Sequence, residues 1–118
     1  MRINGVMAMV MVQDIERALR FYRDMLGFTV QDEQEDWVVF NEGISLGLSP
    51  EPAPELNVAF NAVLVTLVVD DVQATFTELT AKGVAFFTAP STEAGATYAT
   101  FRDSEGNLMQ LLSLATSN

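Results

Sequence analysis

Two residue types that supply much of the chemistry of protein sites are missing, because the 118-residue chain contains no cysteine and no histidine. Without cysteine it can form neither disulfides nor thiolate ligands, and a cytoplasmic location is the default expectation. Without histidine, Ser–His catalysis and imidazole metal ligands are excluded. Any metal site for a hard ion would have to consist of carboxylate and amide ligands.

Basic residues and long apolar runs are also scarce. Six basic residues against 16 acidic ones give a formal net charge of −10. This charge argues against nucleic-acid binding, since phosphate backbones attract stripes of Lys and Arg. It permits attraction of cationic small molecules, although acidity also simply keeps a protein in solution. No apolar run reaches the about 18 residues of a membrane span, and the N-terminal run is typical of a strand and not of a signal peptide. We therefore expect neither nucleic-acid nor membrane partners.

What the chain does have is a hydrophobic content of 49%. This content favours a folded globule over disorder, and the length favours one domain over residues 1–118. A chain of this size buries roughly two-thirds of its unfolded surface, which is enough for a real core.

The first half of the chain has a strand followed by a helix. Met7 to Val12 is an apolar run with strand character. Asp14 stands where a helix N-cap should be, and Gly27 stands where a helix should end. Between them an apolar stripe recurs at helical spacing, at Ile15, Ala18, Leu19, Tyr22 and Leu26.

The second half repeats this pattern. Val63 to Val69 is apolar and β-branched, Asp71 stands at the N-cap position, and Gly83 follows Lys82 at the helix end. The helical stripe is Val72, Phe76 and Leu79. One deletion aligns the two halves, so the chain is predicted to contain two copies of one unit.

Strand-like segments follow each predicted helix. In the first copy they are Phe28 to Gln34, Trp37 to Asn41 and Ile44 to Ser49, and in the second Val84 to Thr88, Tyr98 to Arg102 and Leu108 to Leu114. Ser104-Glu105-Gly106-Asn107 is a strong hairpin signal. Pro50 to Leu56 is predicted to link the copies. The order is therefore β-α-β-β-β twice, an α+β fold with modules of about 1–55 and 56–118.

Three segments resemble motifs of the vicinal-oxygen-chelate superfamily, which includes glyoxalases, bleomycin-resistance proteins and extradiol dioxygenases. They are Val12 to Phe28, Val69 to Val72 and Phe101 to Asn107, the last with Ser104 where proline is more usual. The resemblance implies paired βαβββ modules that form a curved, barrel-like mixed sheet around a cavity, with the helices outside. It also implies that a homodimer is common. Function is not implied, because unrelated chemistries share this scaffold.

In metal-dependent members of that family, four strand positions hold the ligands. On this chain they fall on Met7, Gly47, Leu64 and Gln110. Only Gln110 offers an oxygen to a hard cation, and a thioether suits copper(I) better than magnesium, manganese or zinc. We therefore expect no metal and no cofactor, and neither glyoxalase-type isomerisation nor ring-cleaving dioxygenation, both of which need the ion as a Lewis acid.

Strand alternation predicts which side chains would line the cavity. The inward-facing sets are Met7, Met9 and Met11; Ser45, Gly47 and Ser49; Leu64, Thr66 and Val68; Tyr98, Thr100 and Arg102; and Leu108, Gln110 and Leu112. Such a lining, mostly apolar with a few orienting polar groups, is typical of a ligand pocket, and methionine suits a flat aromatic ligand. The alternative is that the methionines fill a collapsed core.

Aromatic and cationic residues add further candidates. Trp37, beside an acidic run, is placed to stack on a planar or cationic ligand, or else to pack at a dimer contact. Phe60, Phe86 and Phe87 are also candidates. Arg102 and Tyr98 could orient an anionic or carbonyl group, although Arg102 could equally pair with Asp103 or Glu105 at the surface. The predicted ligand-binding set is Met7, Met9, Trp37, Gly47, Leu64, Thr66, Tyr98, Arg102 and Gln110, with no catalytic and no metal-binding residue.

Three functions remain open. The first is a metal-independent protein of the bleomycin-resistance type, which sequesters a planar hydrophobic or cationic compound such as an antibiotic. The second is a metal-independent isomerase or lyase that uses Tyr98, Arg102 or a carboxylate. The third is a non-catalytic dimerisation domain. Edge strands need covering in each case, which favours a homodimer.

Overall fold

The structure, a computed structural model, describes residues 1–4, 6–49 and 63–114. These residues contain eight strands and two helices in the order β-α-β-β-β, repeated once. The chain divides into two compact units, Met1–Glu55 and Leu56–Asn118. The predicted α+β class and the duplicated element order are confirmed. The predicted linker from Pro50 to Leu56 and the candidate Phe60 lie outside the described residues.

Unit 1 is a four-stranded mixed sheet with one helix. Its elements are β1 (Ala8–Val12), α1 (Ile15–Leu19), a π-helical continuation of α1 (Arg20–Met25), β2 (Val30–Glu33), β3 (Trp37–Phe40) and β4 (Ile44–Leu48). The strand order is β1-β4-β3-β2, with β1 parallel to β4 and the other pairs antiparallel.

The helix of unit 1 begins and ends at the predicted residues. The Asp14 carboxylate accepts a hydrogen bond of 3.0 Å from the Arg17 N–H, and Gly27 has a φ of 82°. The π-helical turn was not predicted. There the Leu26 N–H donates to the Phe21 carbonyl oxygen, five residues back, at 3.0 Å. Both Phe21 and its neighbour Tyr22 are buried along this turn.

The core of unit 1 lies between its helix and one face of its sheet. Val12, Val38 and Leu46, one from each of three adjacent strands, are almost fully buried. The Tyr22 ring lies 5.5 Å from the Phe28 ring and 5.7 Å from the Phe40 ring, centroid to centroid. Aromatic pairs at such distances add to the free energy of burial, so this cluster fixes the helix on the sheet.

Unit 2 repeats the architecture. Its elements are β5 (Val65–Val68), α2 (Val72–Ala81), β6 (Ser91–Glu93), β7 (Ala96–Arg102) and β8 (Leu108–Leu114). The strand order is β5-β8-β7-β6, with β5 parallel to β8. The Asp71 carboxylate caps α2 by accepting from the Ala74 N–H at 3.0 Å, and Gly83 has a φ of 95°.

One predicted strand of unit 2 is wrong. Val84 to Thr88 is not a strand and forms only an isolated bridge between Phe86 and Phe101, whereas β6 lies further along the chain. The apolar pattern there has another cause. The Phe86 ring is held between the rings of Phe76 and Phe101, at centroid distances of 4.6 Å and 5.3 Å. The segment still lies beside β7, since the Phe87 N–H donates to the Thr100 carbonyl oxygen at 2.8 Å and the Arg102 N–H donates to the Ala85 carbonyl oxygen at 3.3 Å, but this pairing is too short to form a strand.

The predicted hairpin between β7 and β8 is confirmed, and a buried carboxylate organises it. Asp103 Oδ1 accepts from the backbone N–H groups of Glu105 and Asn107, at 2.9 Å and 2.8 Å, and its Oδ2 accepts from the Asn107 side-chain amide at 2.9 Å. Charge-assisted bonds of this kind fix the turn and thereby the register of the two strands. No helix among the described residues is long and apolar enough to cross a membrane.

Candidate functional site

Each sheet has one face against its helix and one face turned away from it. In unit 1 the face turned away carries Met7, Met9, Met11, Trp37 and Gly47, here called the methionine face. Strand pairing places Met11 and Trp37 on either side of Gly47, since both are its direct cross-strand partners. Side chains at such paired positions lie on the same face. The predicted alternation of β1 therefore agrees with the observed register.

The methionines of this face are not core residues. Met7, Met9 and Met11 are 53%, 40% and 49% exposed. Two of them converge on Gly47, because the sulfur atoms of Met9 and Met11 lie 2.6 Å and 3.2 Å from the point where a Cβ on that residue would be. The space left by the missing side chain of Gly47 is thus taken by thioether sulfur. That these residues line a ligand cavity stays a prediction.

In unit 2 the corresponding face carries Leu64, Thr66, Tyr98, Arg102 and Gln110, here called the glutamine face. Thr66 pairs with Gln110 in the strand register. The Thr66 hydroxyl lies 3.2 Å from both the Leu64 carbonyl oxygen and Gln110 Oε1, and it can donate to either. The Gln110 side-chain amide therefore has a hydroxyl partner on the neighbouring strand.

Arg102 lies at one end of the glutamine face. Its Nη1 donates to the Gly106 carbonyl oxygen at 2.9 Å, and its guanidinium carbon lies 5.8 Å from the centroid of the Phe87 ring. Phe87 is 67% exposed, so this cation–π pair is available to a ligand at the surface. Tyr98 is half-buried and pairs with Ser91 and Leu112.

The structure thus brings the nine predicted site residues together in two groups. In unit 1, Met9, Trp37 and Gly47 share a sheet face and Met7 directly precedes β1; in unit 2, Thr66, Tyr98, Arg102 and Gln110 share a sheet face and Leu64 directly precedes β5. The arrangement of both groups around one cavity stays a prediction.

The four family metal positions do not fit a hard divalent ion. Met7 and Gly47 in unit 1 and Leu64 in unit 2 offer no side-chain oxygen or nitrogen, and Gln110 offers one neutral amide oxygen, which lies beside the Thr66 hydroxyl. Hard cations need several oxygen ligands, usually charged. Over the described ranges, no group of three or more Asp or Glu side chains is arranged to hold a metal ion.

A groove that sequence reasoning missed lies in unit 2 where α2 begins. It encloses about 510 Å³. Its walls come from Asp70 to Gln73, from Pro90, Thr92, Gly95 and Thr97, and from Ser113 and Leu114. No predicted site residue contributes to it. No local sequence signal marks it, since it arises where the hairpin of β6 and β7 lies beside the start of the helix.

Comparison with known proteins extends these observations. Residues 2–111 match the family model described as the Glyoxalase/Bleomycin resistance protein/Dioxygenase superfamily. The uncharacterized protein YurT of Bacillus subtilis (strain 168) is 30% identical over 122 residues, which cover 91% of this chain and 96% of YurT. The crystal structure of UcmS2 superposes with a TM-score of 0.70 at 27% identity, covering 95% of this chain and 98% of that one. A protein of unknown function from Agrobacterium tumefaciens str. C58 gives a TM-score of 0.77 at 21% identity, covering 96% and 95%.

Proposed function

The chain belongs to the glyoxalase/bleomycin resistance protein/dioxygenase superfamily, and on that premise we propose that it is a metal-independent protein that binds a planar hydrophobic or cationic small molecule. The observation that carries this proposal is the methionine face. The half-exposed side chains of Met9 and Met11 converge on Gly47, Trp37 pairs with Gly47 from the other side, and the half-exposed Met7 directly precedes β1. Because the superfamily hosts several chemistries on one fold, function has to be argued from such a face and not from the fold.

The chemistry of the methionine face favours a flat, polarisable ligand. Methionine side chains have three rotatable bonds and a polarisable sulfur, so they adapt to an aromatic surface. Contiguous exposed apolar side chains on a soluble protein mark a binding or association surface. The net charge of −10 adds a long-range attraction for cationic compounds.

We propose binding and not catalysis, because the side chains of Met7, Met9, Met11, Trp37 and Gly47 supply no acid, base or nucleophile. The glutamine face of unit 2 carries polar groups of the kind that orient a ligand, namely Gln110 beside Thr66 and Arg102 beside Phe87. Sequestration of an antibiotic-like aromatic compound in the cytoplasm is the form of this function that we propose. The alternative of a metal-independent isomerase or lyase would require Tyr98 or Arg102 to act on a substrate.

We also propose that the protein works as a homodimer. Val68, Phe87 and Leu114 in unit 2 are exposed in addition to the methionines, and contiguous exposed apolar side chains mark association surfaces. Light scattering coupled to size exclusion should give the mass of two chains. A single 12.9-kDa species at working concentration would contradict the dimer.

Quenching of the single tryptophan, Trp37, tests ligand binding. The probes are planar aromatic compounds in cationic, neutral and anionic forms, for example an acridinium dye, an anthraquinone and an anthraquinone sulfonate. We expect saturable quenching by the cationic and neutral probes. Met9→Ala should weaken binding about tenfold, since burying a methionine side chain contributes on the order of 1.5 kcal/mol.

The matched control is Ile3→Ala, which removes another exposed apolar side chain outside the methionine face. This variant should bind as the parent does. Absence of saturable quenching with every probe, or equal weakening by both substitutions, would refute the proposed function.

A further inference from the structure

We propose that Met7, Met9 and Met11 form a binding site for a soft monovalent metal ion of the copper(I) class. The sequence Met7-Ala8-Met9-Val10-Met11 repeats a thioether at every second residue. Since side chains alternate along a strand, Met9 and Met11 of β1 lie on the methionine face, and Met7 directly precedes β1 at the same spacing. This inference concerns a second class of ligand and does not depend on the proposed binding of an organic compound.

The positions of two sulfur atoms support the site. Met9 Sδ and Met11 Sδ lie 2.6 Å and 3.2 Å from the same point above Gly47. The two sulfurs are therefore less than about 6 Å apart, a gap that two metal–sulfur bonds of about 2.3 Å each nearly span. Rotation about the flexible methionine side-chain bonds can close the remainder. Met7 precedes β1 on the same face and can supply a third thioether.

Gly47 and Trp37 complete the surroundings of this site. Gly47 provides the space, because a side chain there would displace the Met9 sulfur. Trp37 is the cross-strand partner of Gly47 on β3, opposite Met11. An indole next to a bound cation stabilises it by cation–π attraction, most strongly where water is partly excluded.

Ligand chemistry makes the site selective. Thioethers are neutral and soft, so they prefer copper(I) and its analogue silver(I) over magnesium, manganese or zinc. The chain has no cysteine and no histidine, so no stronger soft ligand competes elsewhere. Of the other three methionines, Met109 is 1% exposed in the core of unit 2, Met25 is half-buried on the π-helical turn, and Met1 is a single fully exposed thioether before β1. The net charge of −10 attracts any cation to the protein.

The test is titration of the whole chain with silver(I), and with copper(I) under anaerobic reducing conditions against a chromophoric copper(I) chelator. Native mass spectrometry gives the stoichiometry, and Trp37 emission reports binding at the face. We expect one ion per chain with quenching of Trp37, and no response to magnesium or zinc. No uptake by the parent protein, or uptake without any change in Trp37 emission, would overturn the proposal.

The decisive variant is the double substitution Met9→Leu and Met11→Leu, which keeps the apolar volume and removes both thioethers. It should lose at least about tenfold in affinity for copper(I), whereas the control Met25→Leu should retain it. Unchanged affinity in the double variant would overturn the site. If circular dichroism shows that the double variant does not fold, the single variant Met7→Leu replaces it and should also bind copper(I) more weakly than the parent, with a smaller loss of affinity.

The same variants separate this inference from the proposed function. Because leucine preserves the apolar surface, binding of the aromatic probes should change less than about threefold in the double variant. Loss of metal binding with retained probe binding supports both proposals. Metal binding in a protein that binds no aromatic probe supports the metal site and refutes the proposed function.

Discussion

Substitution by alanine should destabilise the protein more at Gly43 than at Gly47, although both glycines lie in unit 1. Gly43 lies in the turn before β4 with a φ of 114°, and nothing lies within 4 Å of an added Cβ. Gly47 lies within β4 on ordinary strand backbone, but an added Cβ would be 2.6 Å from Met9 Sδ. At Gly43 an added methyl group has space, but the positive φ is unfavourable for alanine. At Gly47 the backbone suits alanine, but the methyl group would collide with Met9 Sδ unless that side chain moves.

The expected magnitudes follow from these two geometries. Gly43→Ala should lower the free energy of unfolding by about 1–3 kcal/mol, the cost of holding an L-residue in a region that favours glycine. At Gly47 the obstructing atom is near the free end of a flexible, half-exposed side chain. Moving it costs about 1 kcal/mol in rotamer energy, and alanine recovers about 0.5–1 kcal/mol of unfolded-state entropy. Gly47→Ala should therefore change stability by less than about 1 kcal/mol.

Urea unfolding of both variants, followed by circular dichroism, measures this difference. Trp37 emission adds a local readout, because Gly47→Ala should shift the emission of its cross-strand neighbour in the folded protein. Gly47→Ala should also weaken copper(I) binding at the methionine face, whereas Gly43→Ala should not. If Gly47→Ala proved the more destabilising of the two, the Met9 side chain would be fixed in place, which would contradict the expectation that the methionines adapt to their surroundings.

Two further predictions concern the helices. Asp71→Ala should lower the free energy of unfolding by about 1 kcal/mol, because it removes the acceptor for the Ala74 N–H. Asp71→Asn keeps an acceptor oxygen and should lower the free energy of unfolding much less. Equal losses of stability in urea unfolding of the two variants would contradict the capping role of Asp71. Arg23 donates to the Asp24 carboxylate at 2.8 Å and thereby lowers the pKa of that carboxyl. Arg23→Gln should return this pKa toward its ordinary value in an NMR titration. A carboxyl with a lowered pKa stabilises the folded state at neutral pH and loses that effect as the pH falls through its folded pKa, so the variant should show a weaker acid dependence. An unchanged Asp24 titration would refute the pairing.

The candidate site could be predicted in part. The alternation of Met7, Met9 and Met11 is a local property of one strand, so its placement on a single face needed no tertiary information. The convergence of two sulfurs on Gly47 beside Trp37 could not be predicted. It depends on the register of β1 and β3 against β4, which packing between segments distant in sequence determines.

The fold divides in the same way. The helix ends at Asp14, Gly27, Asp71 and Gly83 and the duplicated order of elements follow from local sequence, because capping and periodicity act between near neighbours in the chain. The limited pairing of Val84 to Thr88 with β7, at one bridge between Phe86 and Phe101, and the formation of a strand at Ser91–Glu93 instead depend on contacts between segments distant in sequence. An apolar pattern does not specify which neighbours its side chains pack against, and here the Phe86 ring lies between the rings of Phe76 and Phe101.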